Sequence, residues 1–458
     1  MDVSGILALS PIFITVISGI VIIIYFSKKA SPVSPVEQDD PPVFPAVPLD
    51  KGDADKVTSN VSKSKKKADK VPPHRDNKSK FSHPWLLSSL KGHNDNVLDM
   101  SFSPNGKYLA SCSMDRSVLL WQTRHFSERE HKSTRVNVEF DHATGVSWSP
   151  DNHALLCAKH NENRLQVYKL SKKSDGTLGN PQVAVTFDKL DDDPLVGSGI
   201  SSNGGSAEQR HSAGHYVMCC SERGRLTVFD LRGGVLASTD TRQAPVHAAR
   251  ISPCGRFIMS AGFTPDVKVW EVAFTRSGDF DKLSRAFELK GHTSGVLDLS
   301  ATPDSFRMVT VSRDGTWKLF NTNVEYRIGQ DPQLIQSAPC GGGESGPASR
   351  VALSPDGCTV AVGARSDVQL FSAETGDMMA TLAALHSSPI TCMLFDPTSR
   401  YLLTTGDKHI RILHNVPGCR VNIQVMKDKL AKTTNHTLKE RLTAQVKELQ
   451  AFLSTLGE

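Results

Sequence analysis

Several groups of residues in this chain could do chemistry. Gly341-Gly342-Gly343-Glu344-Ser345-Gly346 has the G-x-G-x-x-G form of a phosphate cradle, but no strand leads into it and no helix follows. Glu344-Ser345-Gly346-Pro347 has the look of a protease serine turn, yet no independent His and Asp stand ready to serve it. The sixteen histidines show no HExxH, and the nine cysteines show no CxxC or Cys/His ligand spacing. What remains is His93, Ser111, Asp115 and Trp121, an imidazole, a hydroxyl, a carboxylate and an indole within one short stretch. His292, Thr310 and Asp314 repeat the set, with Phe320 in place of the indole. Polar groups of these types are costly to bury unless paired, so a satisfied network would fix local geometry. No catalytic residue, metal ligand, cofactor or small-molecule ligand follows from these residues, and no enzyme is expected.

The elements that hold them are short strands. From Trp85 to Trp121 the chain reads as a strand ending in Gly92-His93, then strands at Val97 to Phe102, Tyr108 to Cys112 and Ser117 to Trp121. A turn at Ser103-Pro104-Asn105-Gly106 separates the first two of these. Similar turns recur at Ser149-Pro150-Asp151-Asn152, Ser252-Pro253-Cys254-Gly255, Thr302-Pro303-Asp304-Ser305, Ser354-Pro355-Asp356-Gly357 and Asp396-Pro397-Thr398-Ser399. One double-length gap places a degenerate copy at Ser201-Ser202-Asn203-Gly204. An aromatic or apolar residue closes each third strand, at Trp121, Tyr168, Phe229, Trp270, Phe320, Phe371 and Leu413. Seven units of roughly 45 to 50 residues follow, the period of four-stranded propeller blades.

His93, Ser111, Asp115 and Trp121 resemble the His-Ser-Asp-Trp tetrad of WD-repeat blades, and His292, Thr310 and Asp314 a truncated one. The resemblance implies that each His bonds the Asp of the turn between second and third strands. Units two, three and seven carry weaker versions, and Leu413 closes its unit without such a network. No Trp is followed by Asp, so the family's dipeptide is absent. The fold expected is all-β: a seven-bladed WD-repeat β-propeller over residues 83–415. The seventh unit has only three strands of its own, so the strand from Trp85 to Leu90 should complete it and close the ring. An insertion over about 171–214 reads as a mobile loop, and Cys340 to Ser349 as a shorter polar one.

Flanking segments differ in composition. The 458 residues are 38% hydrophobic and 22% charged with net charge +5, which points to no particular partner. Ile6 to Phe26 carries no charge over about 21 positions, enough for a transmembrane helix within residues 1–29. Lys28 and Lys29 follow it with nothing basic before it, which places the C-terminal side in the cytosol. Scattered cysteines agree, as buried thiols of a reducing compartment. Residues 30–82 read as a disordered linker, Pro-rich and then Lys-rich, with Lys63, Lys65, Lys66, Lys67 and Lys70 as a basic run. That run could contact anionic lipid or RNA phosphates, although scarce aromatics argue against base stacking. Residues 416–458 form a C-terminal helical segment. Leu438, Leu442, Val446, Leu449, Leu453 and Leu456 make an amphipathic stripe on a helix over Thr437 to Leu456, with Thr437 and Glu440 as a capping box. Arg420 to Lys432 is a shorter helix before it.

Beyond the repeat, Arg129 to Glu139, Ile251 to Val272, Ala286 to His292 and Arg313 to Pro332 resemble the transducin beta-like proteins. The enlarged turn Gly262-Phe263-Thr264-Pro265-Asp266 makes the likeness specific. What it implies is an endoplasmic reticulum membrane protein, single-pass, with a cytosolic propeller that acts as a scaffold in the unfolded-protein response. It also implies binding to the stress-sensing eIF2α kinase of that membrane and a link to RNA or ribosomes. The alternatives kept are an RNA- or ribosome-binding protein at the same surface and, less favoured, a nucleotide exchange factor for a small GTPase.

Overall fold

The structure is a computed structural model and describes residues 81–171, 178–187, 193–202, 215–341 and 348–457. The expected anchor (Ile6, Phe26, Lys28, Lys29) and the basic run of the linker (Lys63 to Lys70) lie outside the described residues. Among the described residues no helix is long and apolar enough to cross a membrane.

Seven four-stranded antiparallel sheets follow one another along the chain. Blade 1 is typical. Its strands are Val97–Phe102, Tyr108–Ser113, Ser117–Gln122 and Ser133–Asn137, from the inside outward. Inner strands of neighbouring blades touch all the way round, and that of blade 7 (Cys392–Phe395) returns to blade 1. Leu86–Lys91 pairs antiparallel with His409–His414 and supplies the outer strand of blade 7, so the ring closes through hydrogen bonds as expected. Such closure removes the exposed inner edge that an open array would leave. The second and third strands are the most buried, since each is sandwiched between its own sheet and the next; Leu109, Leu120, Val309, Leu319 and Val360 are at most 2% exposed.

The repeated turn explains its own sequence. In every copy the fourth residue donates its N–H to the carbonyl of the first, as in Gly106 to Ser103 at 2.8 Å. The first residue's side-chain oxygen then accepts the N–H five positions on: Tyr108 to Ser103 Oγ, Phe257 to Ser252 Oγ, Tyr401 to Asp396 Oδ1. Hence Ser, Thr or Asp begins each turn. The fourth residue has positive φ throughout. Gly106, Gly255 and Gly357 adopt it freely, whereas Asn152, Ser305 and Ser399 sit near φ 60°. Those three side chains each accept a backbone N–H from an adjoining blade's turn: Asn105 to Asn152 Oδ1, Cys254 to Ser305 Oγ and Asp356 to Ser399 Oγ, at 3.0–3.1 Å. Glycine turns and side-chain turns are thereby joined pairwise, blade 1 to 2, 4 to 5 and 6 to 7. Cys254, which could pass for a strand residue, belongs to one of these turns.

Four readings need correction. The stretch 171–214 contains the outer strand of blade 2 (Gln182–Thr186) and the inner strand of blade 3 (Leu195–Ser202) rather than one loop. The inner strand is glycine-rich because it runs close to blade 4: a Cβ on Gly197 would lie 2.2 Å from the Ala249 carbonyl oxygen. The degenerate turn does not begin at Ser201, since Ser201 and Ser202 are still strand. The first C-terminal helix, α1, is Val416–Lys432, longer than expected, because Asn415 caps it and Pro417 fits its first turn. The second, α2, is His436–Thr455, and its cap is Asn435, whose side chain accepts the Leu438 N–H and the Thr437 hydroxyl. Thr437 is therefore already helical, and the Thr437–Glu440 capping box does not form.

Both helices pack on the propeller. Val416, Ile423, Val446 and Leu453 join Trp85, Leu402 and Leu413 in one buried cluster, with Leu449 and Leu456 at its margin. Each such side chain contributes about 1.5–3 kcal/mol on burial. Asn422 on α1 also donates to Asp356 in the blade 6 turn at 2.9 Å.

Candidate functional site

A four-stranded meander sorts its loops. Turns between inner and second strands lie at one face, together with the α1–α2 pair. Turns between second and third strands, and links to the next blade, lie at the opposite face. The expected polar sets all sit at this second face.

In blade 1, His93 Nδ1 meets Asp115 Oδ2 at 3.1 Å and Nε2 meets Ser111 Oγ at 2.8 Å. Trp121 donates its indole N–H to the same hydroxyl at 2.9 Å. Asp115 also accepts from the Asn94 N–H and the Ser117 hydroxyl. In blade 5, His292 meets Asp314 and Thr310, both at 2.8 Å. Phe320 cannot donate, so Thr310 lacks the indole bond that Ser111 has; its hydroxyl also lies 3.4 Å from the Lys318 carbonyl. Both expected sets are therefore assembled as the residue types imply.

Two further networks were not anticipated. In blade 7, His386 meets Thr404 Oγ1 at 2.9 Å and Asp407 at 3.3 Å, beside Arg411. Leu413 thus closes a blade that does possess a network, contrary to expectation. Its signal was a fixed offset: His and hydroxyl stand 18 residues apart in all three blades, although Leu385 rather than Gly precedes His386. In blade 4, Gln243 takes the place of His. Its Oε1 accepts the Ser260 hydroxyl at 2.6 Å, and its Nε2 donates to Thr264 and to the Asp266 carbonyl. Trp270 donates to Ser260 at 3.4 Å. The enlarged turn exists to bring the Asp266 carbonyl where other blades bring a carboxylate.

Burial lowers the pKa of His93, His292 and His386 below the ordinary 6.5, against the pull of their carboxylates. Burial thus favours the neutral ring in each, and in blades 1 and 5 the Asp at Nδ1 selects the tautomer that donates from Nδ1 and accepts at Nε2; in blade 7 the Arg411 guanidinium also approaches His386 Nδ1, at 2.5 Å. Burial tends to raise Asp115 and Asp314, but hydroxyl, backbone and imidazole donors outweigh it and hold both low, Asp314 at about 2. Asp407 is held low in the same way. Ser111 and Thr310 are 0% exposed. A hydroxyl sealed in this manner cannot reach a substrate, so these sets are struts rather than nucleophiles.

The central channel offers a cavity of about 480 Å³. Asp99 and Asp298 lie on its wall and pin the next blade, accepting the N–H groups of Val146 and Val351 at 3.0 Å. Arg250 pairs with Asp298 at 3.0 Å. These charges are spent on holding blades together. None of the nine cysteines forms a disulfide and six are buried, where burial raises thiols such as Cys157 to about 12. The glycine-rich stretch 342–347 lies outside the described residues.

Comparison with known proteins agrees with this geometry. The WD domain, G-beta repeat, matches residues 84–122, 283–321 and 379–413, which run through the three blades that carry a histidine network. Transducin beta-like protein 2 of Homo sapiens is 37% identical over 399 residues, 87% of this chain and 87% of its own length. The Mus musculus protein is 38% identical over 396 residues, 86% of this chain and 87% of its own length. Actin-interacting protein 1 of Drosophila melanogaster is 28% identical over 247 residues, 52% of this chain and 36% of its own length. A likeness of this identity, spanning most of both chains, means that the chain belongs to the transducin beta-like protein 2 family of WD-repeat proteins.

Proposed function

We propose that the protein is a non-enzymatic scaffold held at the endoplasmic reticulum membrane, whose cytosolic propeller gathers protein partners of the unfolded-protein response, the stress-sensing eIF2α kinase among them. The observation that carries this reading is the pairing of whole-length family membership with polar sets sealed inside the blades. A rigid ring with nothing reactive in its networks is suited to presenting surface. The charge-free run Ile6 to Phe26, followed by Lys28 and Lys29, supports the tether and its orientation. Confinement to one membrane raises effective concentration, so weak contacts at the propeller suffice.

Deleting residues 1–29 tests the tether. The shortened chain should bind its partner in a purified assay with unchanged affinity, while the complex recovered from cells falls sharply. Equal recovery of partner by both forms would show that the anchor does not act by tethering. RNA or ribosome contact through Lys63, Lys65, Lys66, Lys67 and Lys70 is the competing reading, and it requires binding that collapses as salt rises.

A further inference from the structure

The histidine networks have a side effect on surface charge. In blades 1, 5 and 7 the turn between second and third strands contains one acid and one base: Asp115 with Arg116, Asp314 with Arg313, Asp407 with Lys408. The acid is drawn inward to the imidazole, leaving its side chain 5%, 8% and 10% exposed. The base next to it stays outside; Arg116, Arg313 and Lys408 are all exposed. Blade 6 adds exposed Arg365 in the equivalent turn. Four consecutive blades, 5, 6, 7 and 1, therefore each present a cation at the same face. Arg313 leans on the His247 ring at 3.3 Å, and no ion pair with a described residue holds any of the four. Farther round, at blade 3, Arg223 is neutralised by Asp193 at 2.9 Å, so the basic arc stops before that side.

Apolar side chains bound the arc. Phe263 on blade 4 is 64% exposed, and Phe140 in the link from blade 1 to blade 2 is 90% exposed, with Met114 on blade 1 at 45%. Phe140 is held at φ 59°, a left-handed conformation that a bulky residue rarely adopts.

We infer that this face, from Phe263 through Arg313, Arg365, Lys408 and Arg116 to Phe140, docks an acidic protein segment carrying bulky apolar residues near its ends. The inference rests on the scaffold reading above and adds to it the face and the partner's chemistry. Charge complementarity selects an acid-rich occupant. Single cations spaced one per blade, with exposed Asp95 and Glu139 among them, suit spaced carboxylates better than the continuous charge of a nucleic acid backbone.

The test uses the full chain in detergent micelles and fluorescence anisotropy with three labelled probes. One is a synthetic peptide of about twenty residues with Glu at every third position and Phe near each end, a length that fits one groove-bound segment. The second replaces Glu by Lys, and the third is single-stranded poly(U). The acidic peptide should bind, and Arg313→Glu/Arg365→Glu/Lys408→Glu should weaken it about tenfold or more. Phe140→Ser should weaken it as well, while Lys447→Glu on α2, at the opposite face, should not. Melting temperatures of the variants verify that the ring is intact. Failure of the acidic peptide to bind, equal binding by the triple variant, or loss of poly(U) binding alone in that variant overturns the inference. Co-purification from cells separates the two levels. If wild type and triple variant recover the same protein complexes, the arc is wrong and the scaffold stands; if wild type recovers none, the scaffold itself fails.

Discussion

Blades 1 and 4 solve one problem with different chemistry. Each has an indole donating to a serine hydroxyl ten residues earlier, Trp121 to Ser111 and Trp270 to Ser260. Behind the hydroxyl, blade 1 places an imidazole and a carboxylate, whereas blade 4 places the Gln243 amide and the Asp266 carbonyl. An amide offers one acceptor and one donor end, as a neutral imidazole does. The blade thus needs a relay of matched donors and acceptors and does not need a titratable group. The cost of omitting the His–Asp pair is visible as well. Blade 4 requires a longer turn to deliver its carbonyl, its indole bond is longer, and Trp270 is only half-buried where Trp121 is 1% exposed.

The largest effect that could break this comparison is removal of the indoles. Trp121→Ala should cost about 3–5 kcal/mol, because a fully buried ring leaves a cavity and strips Ser111 of its donor. Trp270→Ala should cost about 2–3 kcal/mol, since part of that ring is already in water. Urea denaturation followed by circular dichroism gives both values. Equal losses would mean that the two networks do not differ in burial as described.

Acidification sharpens the difference between imidazole and amide. His93, His292 and His386 have folded pKa values below 6.5, so the unfolded chain binds protons that the folded networks refuse. Their contribution is complete above about pH 6.5 and is lost as pH falls below it. Asp115, Asp314 and Asp407 are also lowered, which adds a second loss below the ordinary 3.8. His93→Gln imports the blade 4 solution into blade 1. Its melting temperature should fall less than that of wild type between pH 7.5 and 5.5, measured in the same buffers. A variant as pH-sensitive as wild type would show that His93 is not held neutral.

The smallest expected effect concerns the opposite face. Ser399→Gly removes the left-handed strain at φ 60° but also the bond from the Asp356 N–H, and should change stability by no more than about 0.5 kcal/mol. Ser399→Ala keeps the strain, loses the bond, and should cost about 1 kcal/mol. If the alanine variant were as stable as wild type, the pairwise joining of turns would have no energetic content.

Much of this arrangement was legible beforehand. The Pro-containing turns, the strand periods and the spare N-terminal strand led to seven blades and their closure, because alternation and turn chemistry are local properties written in consecutive residues. His93, Ser111, Asp115 and Trp121 were legible because their order along the chain maps onto one blade. His386 and Gln243 escaped, the first because Gly does not precede it, the second because an amide does not resemble an imidazole as a letter. The inner strand of blade 3 escaped because Gly197 and Gly199 erase the alternation that marks a strand.

The sequence by itself determined the blade count, the turn type at six inner corners and the two C-terminal helices, which depend on residues near one another in the chain, and also the ring closure, which follows from counting strands at the two ends of the array. Only the tertiary structure decided which polar groups close into relays, which blades lean on each other through Asn152, Ser305 and Ser399, and which charges face outward. Those outcomes depend on burial. An Asp turned toward an imidazole stops being surface charge, and its neighbouring Arg or Lys becomes all the surface has; no reading of composition can separate the two until the fold has placed one inside and left the other in water.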